Sequence, residues 1–223
     1  MSSATQPITS ALPQRQLEKQ TTPPQGWRFG RKKRGLLSLI DDQTSMMLEA
    51  ASLLESKEAE AARARIEAMY GEIHESERVL IQKLQKTLIT PLDAEDLNLL
   101  SAQLRRLIHQ QASVARSSEA IASAGIPNAL PELATSSRQC AQSLAHAVHA
   151  LPEDDSLLKH TSRAVADANV ARKLIRGWQA ELMAAKPVPV ILRVSGFLQL
   201  PEELFRQYHR TARSLERILF KNT

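Results

Sequence analysis

Apolar residues recur every three or four positions through most of the chain after Gly35, and this period constrains the fold more than any other feature. One such stripe runs through Ile66, Met69, Ile73, Leu80, Leu84 and Leu88. This spacing places the apolar side chains on one face of a helix, which must then be buried in a core. Aromatic residues make up only 4% of the 223 residues and glycines number 7, a composition that favours helix over strand. The sequence therefore predicts an all-α protein.

Prolines and glycines divide the pattern into six predicted helices. They span about 36–55, 57–89, 93–124, 130–151, 153–185 and 190–221, and the last allows an interruption near Gly196 or Pro201. Proline disfavours helix both at its own position and at the residue before it. Because the two halves have similar helix lengths, the sequence predicts two three-helix bundles side by side, at 36–125 and 126–223.

The first 35 residues differ from the rest in composition and charge. Residues 1–26 are rich in Ser, Thr, Gln and Pro, which predicts disorder, and the basic stretch GWRFGRKKRG follows at 26–35. Residues 1–35 hold seven basic residues and one acidic residue, a net charge of +6, whereas the remaining 22 basic and 23 acidic residues give −1. The sequence pI of about 9.6 is therefore a property of this N-terminal tail.

The basic cluster of the tail consists of Arg31, Lys32, Lys33 and Arg34. One interpretation is a solvated lead-in to the first helix. The other is an electrostatic contact with an anionic membrane surface or an acidic partner, worth about 1 kcal/mol for each basic residue near such a membrane. Nucleic acid is not expected as a partner, because no recognition motif accompanies the charge.

Several functional classes lack support in the sequence. It has no run of roughly 18 to 20 apolar residues and no secretory signal at its start, and it carries no nucleotide-binding or hydrolase motif. Cys140 is the one cysteine, which excludes an intramolecular disulfide and fits a reducing cytosol. We expect Cys140, Trp178 and Met183 in the core, and His146 and His149 are at most weak metal candidates. The expected location is the cytoplasm, and nucleotide binding and hydrolase chemistry lack sequence support.

The turn between the second and third predicted helices carries a family resemblance. Pro91 ends one helix, and Asp93 is placed to cap the next. The wording is more specific than a turn needs, in EIHESERVL (72–80), LITPLDAEDLNLLSAQL (88–104) and LERILFKN (215–222). These stretches resemble the PhoU-like phosphate transport regulators, and most closely the branch that accompanies Pit-type phosphate transporters. With the helix rhythm, the resemblance covers about 29–223.

The resemblance implies two three-helix bundles and a regulatory or accessory role in phosphate uptake, without enzymatic activity. The implied partner is a Pit-type membrane transporter, with the basic tail at the inner face of the membrane. The resemblance also allows a homo-oligomer. The alternative is a helix-bundle adaptor or signalling protein that has kept the fold without the phosphate connection. Members of the family can hold metal clusters through carboxylate pairs four residues apart, on one helix face.

This sequence departs from the metal-binding pattern of the family. The corresponding positions hold, in chain order, Glu77, Ile81, Arg105, His109, Val165, Asn169, Arg206 and Arg210. Glu77 is the one carboxylate among them, and arginine cannot ligate a cation, so neither a metal cluster nor another cofactor is expected. One interpretation pairs Glu77 with Arg105 across two helices. Another assembles Arg105, Arg206 and Arg210 into an anion site for phosphate or an acidic loop.

Overall fold

The computed structural model describes residues 35–90, 92–123, 128–151, 154–185 and 187–222. Within these ranges the chain forms seven helices and no strand, which confirms the all-α class. The helices are α1 (Leu36–Leu53), α2 (Ala59–Leu84), α3 (Ala94–Arg116), α4 (Ser118–Ala122), α5 (Ala129–His149), α6 (Asp154–Ala185) and α7 (Val188–Asn222).

The prediction of six helices is wrong for the described residues, because the third predicted helix breaks at Ser117. The backbone of Ser117 leaves the helical region, at φ −97° and ψ 4°, and the short α4 follows. The hydroxyl of Ser113 donates to the carbonyl of His109 at 3.0 Å. A serine hydroxyl that bonds a backbone carbonyl in this way weakens the helix. No proline or glycine stands at this break, so it could not be predicted from the sequence.

The last helix runs without interruption through Gly196 and Pro201, contrary to the break that the sequence allowed. A proline inside a helix costs roughly 3 kcal/mol or more. The turns around Pro201 bury Leu198, Leu204 and Phe205 almost completely. Burying a large apolar side chain contributes about 1.5–3 kcal/mol, so this packing outweighs the cost of the proline.

The described residues from Gly35 onward form one compact unit with a shared hydrophobic core. Helices α1, α2 and α3 pack on one another, as do α5, α6 and α7, while α1 also contacts α5 and α3 contacts α7. Trp178 belongs to the core as predicted. Met183 does not, because Leu182 takes the inward position beside it and leaves Met183 69% exposed. The predicted boundary near residue 125 lies outside the described residues.

The helices alternate in direction, so four chain segments meet at one end of the unit. Three cross-helix contacts fix their directions: Gln43–Ser76 at 3.1 Å, Asp41–His149 at 3.3 Å and Lys221–Asp96 at 3.2 Å. The start of α1, the turn between α2 and α3, the end of α5 and the end of α7 therefore lie together. We call this the Gly35 end, and the end of α6 and the start of α7 lie at the opposite end.

Candidate functional site

Glu77 on α2 and Arg105 on α3 form an ion pair, as one of the two interpretations of the sequence predicted. Nε of Arg105 lies 2.7 Å from Oε2 of Glu77, and their side chains are only 25% and 13% exposed. The Nε–H is not directed at this oxygen, so the contact is an ion pair without ideal hydrogen-bond geometry. The pair links the two helices at two of the positions that the resemblance assigned to metal ligands.

A cluster of three rings lies on α2 and α3, and one of them contacts this ion pair. Tyr70 contacts His74 and His109, with centroids 5.1 Å apart in both cases. Nδ1 of His74 lies 3.9 Å from Glu77. The surface of α2 beside Glu77 forms a shallow open depression that includes Gly71, Arg78 and Ile81. The α2–α3 site is therefore a filled interface with a shallow outer face.

The corresponding place between α6 and α7 holds a second group of ion pairs. Arg172 on α6 lies 3.8 Å from Glu202 on α7. Within α7, Arg206 lies 2.6 Å from Glu203 and 3.4 Å from Glu202, and Arg210 lies 3.1 Å from Glu203. Opposite charges thus join α6 to α7, as Glu77 and Arg105 join α2 to α3.

The three arginines of the predicted anion site all have carboxylate partners. Arg105 contacts Glu77, whereas Arg206 and Arg210 contact glutamates of their own helix. An anion would have to displace these partners, so phosphate binding there stays a prediction. The partners of Arg206 and Arg210 could have been found from the sequence, because Glu202 and Glu203 stand three, four and seven residues before them.

The residues present do not fit a metal cluster. Among the described residues, no group of three or more His, Cys, Asp or Glu side chains could hold a metal ion. Asp167, which lies between two family positions, faces another helix. Its carboxylate accepts a hydrogen bond from Ser143 of α5 at 3.1 Å and pairs with Arg163 at 3.0 Å. Its charge is therefore committed within the fold.

Two of the stretches that carry the family resemblance contact each other in the structure. Nζ of Lys221, in LERILFKN, pairs with Asp93 and Asp96, in LDAEDL. Lys221 donates hydrogen bonds to Asp93 and Asp96, and these bonds raise its pKa, with the bond to Asp93 as the larger cause. The prediction that Asp93 caps α3 is wrong in one respect. Asp93 occupies the N-cap position, but its side chain makes no capping hydrogen bond and contacts Lys221 instead.

A buried polar network that sequence reasoning missed joins four helices. Nε2 of Gln111 on α3 donates to the hydroxyl of Tyr208 on α7 at 2.7 Å and to the carbonyl of Met47 on α1 at 3.1 Å. The Tyr208 hydroxyl also lies 3.2 Å from that of Ser137 on α5. Burial raises the pKa of Tyr208 well above its usual range, so the phenol stays neutral. Gln103 donates to Ser214 at 2.8 Å between α3 and α7.

Three histidines give the fold a dependence on pH. Partial burial removes water from the imidazole rings of His109, His160 and His209 and lowers their pKa values from the ordinary 6.5. Nearby positive charges lower these pKa values further. Below pH 6.5 the unfolded chain binds protons that the folded chain resists, so stability is lost as the pH falls. We expect the melting temperature to drop between pH 7 and pH 5, and to drop less in the triple variant H109Q/H160Q/H209Q. NMR titrations that place all three folded pKa values at or above 6.5 would contradict this.

Cys140 is a buried thiol, as predicted. Burial raises its pKa far above the usual range, with a smaller effect from the charge of Asp167. Since the thiolate is the reactive form, we expect no reaction of the native protein with a thiol reagent at pH 8 and rapid reaction in denaturant. The absorbance of the coloured group that the reagent releases measures the reaction rate in the native and in the denatured protein. Comparable rates in the two states would show that the thiol is accessible.

The remaining predicted contact residues, Arg31 to Arg34, lie outside the described residues. In the part of the chain that the structure covers, no helix is long and apolar enough to cross a membrane.

The helix order and packing define a protein class, the PhoU-like fold. A crystal structure of a PhoU-like protein from Shewanella oneidensis MR-1 matches with a TM-score of 0.58 and 12% identity, covering 86% of this chain and 100% of that one. A second PhoU-like protein of the same organism, for which a phosphate regulatory role is proposed, matches with a TM-score of 0.56 and 12% identity over 84% and 100% of the two chains. No protein-family model and no curated protein matches the sequence.

Proposed function

We propose that this protein is a non-enzymatic regulator or accessory protein of inorganic phosphate transport, which acts at the cytoplasmic face of the membrane by contact with a Pit-type transporter. The observation that carries the proposal is the PhoU-like fold, which covers 86% of this chain and the full length of its structural neighbour. The step from fold to function is an analogy. The contact of Lys221 with Asp93 and Asp96 supports it, because it joins two stretches that separately suggested the same branch.

The proposed mechanism is docking without chemistry. Glu77 and Arg105, which occupy two of the eight family positions, neutralise each other across α2 and α3. Such a pair holds two helices in register and leaves neither group free to transfer a proton or bind a cation. We therefore propose that the two three-helix bundles, α1–α3 and α5–α7, together form the surface that docks on the transporter.

The experiment is deletion of the gene with phosphate uptake as the readout, together with recovery of complexes from solubilised membranes. We expect a changed uptake rate, restored by the full chain, and a Pit-type transporter among the recovered proteins. Unchanged uptake at both high and low external phosphate, with no transporter recovered, would contradict the proposal.

The basic tail is proposed to strengthen the association with the transporter at the membrane. Residues 1–35 carry a net charge of +6, and exposed charges are screened by salt over about 10 Å at 0.1 M. Deleting these residues should weaken association at low salt and remove most of its salt dependence. Equal recovery of the transporter with and without the tail would show that the tail has no part in the contact.

A second candidate is an adaptor or signalling protein with the same fold and no link to phosphate. The observation in its favour is that seven of the eight metal-binding positions of the family lack a carboxylate. This candidate predicts unchanged phosphate uptake after deletion and a recovered partner that is not a phosphate transporter. A Pit-type transporter gene beside this one would favour the first candidate.

A further inference from the structure

The turn between α2 and α3 exposes two adjacent aliphatic side chains completely. Leu88 is 103% exposed and Ile89 is 88% exposed, in a turn where their neighbours Leu84 and Leu92 pack against the core. Single exposed apolar residues are common on protein surfaces. Two branched aliphatic residues side by side at the outermost point of a turn have most of their surface available to a partner.

The chain around these two residues carries positive charge and no acidic side chain. Lys86 lies two residues before Leu88, and the stretch from Leu80 to Leu92 contains no acidic residue. On the neighbouring elements, Asp41 lies 3.3 Å from His149, and Lys221 pairs with Asp93 and Asp96, which leaves Glu95 in the first turn of α3. The tip, residues 85–90, is therefore apolar at its end and cationic at its base.

Two further features lie at the same end of the unit. Phe220, beside Lys221 at the end of α7, is 68% exposed. Gly35, where the described chain begins, directly follows the RKKR sequence at 31–34, and residues 1–35 carry seven basic and one acidic side chain. The point at which the most basic segment is attached is thus the end that carries the exposed apolar tip.

We propose that the Gly35 end docks on an anionic phospholipid bilayer, with Leu88 and Ile89 inserted to the boundary between headgroups and acyl chains and Lys86 beside a lipid phosphate. Apolar side chains below the headgroups and a lysine above them match the depth profile of such an interface. This inference takes its setting from the proposed function, and it names the surface that meets the membrane.

A lipid surface suits the tip better than a protein does. A stable protein interface buries about 800 Å² on each partner and is usually centred on aromatic or arginine anchors in pockets. The tip is a narrow turn with two exposed aliphatic side chains and one lysine, Lys86. Insertion into a bilayer interface needs only a few apolar side chains together with positive charge.

The first test measures sedimentation of the full chain with vesicles of phosphatidylcholine, with and without phosphatidylglycerol. We expect binding to the anionic vesicles alone, weakened by salt, and a loss of about tenfold or more in the variant L88N/I89N, since two aliphatic side chains no longer insert. The matched control is M183N/V188N, because Met183 and Val188 are also largely exposed, at 69% and 66%, but lie at the end of α6 and the start of α7. At 1.5 Å per residue, the length of α7 places them about 50 Å from the Gly35 end. Equal losses in both variants, or none in either, would overturn the proposal.

The second test follows insertion directly with a polarity-sensitive dye on I89C, using V188C as its control. The native Cys140 is buried, so the dye labels the introduced thiol. We expect a blue shift with anionic vesicles at position 89 and none at position 188. An unshifted dye at position 89 would overturn the insertion. So would retention by native membranes that needs Leu88 and Ile89 while pure lipid vesicles bind nothing, because the occupant would then be a protein.

Neither vesicle test involves a transporter. If the vesicles bind while phosphate uptake is unaffected by gene deletion, the proposed function fails and the docking surface stands. If uptake changes while no vesicle binds, the docking surface fails and the proposed function stands.

Discussion

Replacing Tyr208 with alanine should lower the free energy of unfolding by about 3–5 kcal/mol, the range typical of large aromatic residues truncated in a core. Tyr208 is fully buried, and its ring lies 6.2 Å from that of Phe205. It also occupies the place where α3, α5 and α7 meet. Truncation removes the ring contacts and leaves a cavity among helices that pack on several sides, so the surroundings can collapse only partly.

The Tyr208→Phe variant separates packing from hydrogen bonding. It keeps the ring and removes the hydroxyl, which leaves Gln111 with one acceptor fewer in a buried site. Losing such a bond costs about 1–2 kcal/mol. Urea unfolding measures both variants, and the slope against urea should not change.

Tyr70 supplies the matched control for this prediction. It is the other tyrosine of the chain, half-buried beside His74 and His109. Tyr70→Phe should change the free energy of unfolding by no more than about 0.5 kcal/mol. If Tyr208→Phe costs as little as Tyr70→Phe, the buried network contributes nothing to stability. If Tyr208→Ala costs under about 1 kcal/mol, the four helices do not share this centre.

The helices could be predicted from the sequence, and the buried polar network could not. The apolar period predicted α1, α5 and α6 to within a few residues, because a buried helix face requires apolar residues at every third or fourth position. Gln111 lies on the apolar face of α3 with Leu104 and Ile108, so its burial could be predicted from the sequence. Its partners were not, because Met47 and Tyr208 are 64 and 97 residues away in the chain.

The candidate site could also be predicted only in part from the sequence. The pairing of Glu77 with Arg105 was predicted because a resemblance aligned their two helices. Without that alignment, nothing in the spacing joins residues 28 positions apart. The exposure of Leu88 and Ile89 was missed, because the helix period continued through Leu88 and predicted a helix to residue 89. The chain leaves the helix after Leu84 instead, and the hydroxyl of Thr87 donates to the carbonyl of Lys83 at 2.8 Å.

Breaking the ion pair between Glu77 and Arg105 should cost about 2 kcal/mol in either single variant, Glu77→Ala or Arg105→Ala. The two side chains are only 13% and 25% exposed, so each truncation leaves a partly desolvated charge without its partner. The double variant leaves no such charge and should cost less than the sum of the single variants. The coupling energy from this double-mutant cycle measures how strongly the pair links α2 to α3.

The pair Glu75–Arg78 provides the control on the same helix. Its atoms are as close, at 2.7 Å, but both side chains are more than half exposed. Solvent screens such pairs, so the same cycle on Glu75 and Arg78 should give no resolvable coupling. A coupling at Glu77 and Arg105 as small as this control would mean that the charges do not hold the two helices together.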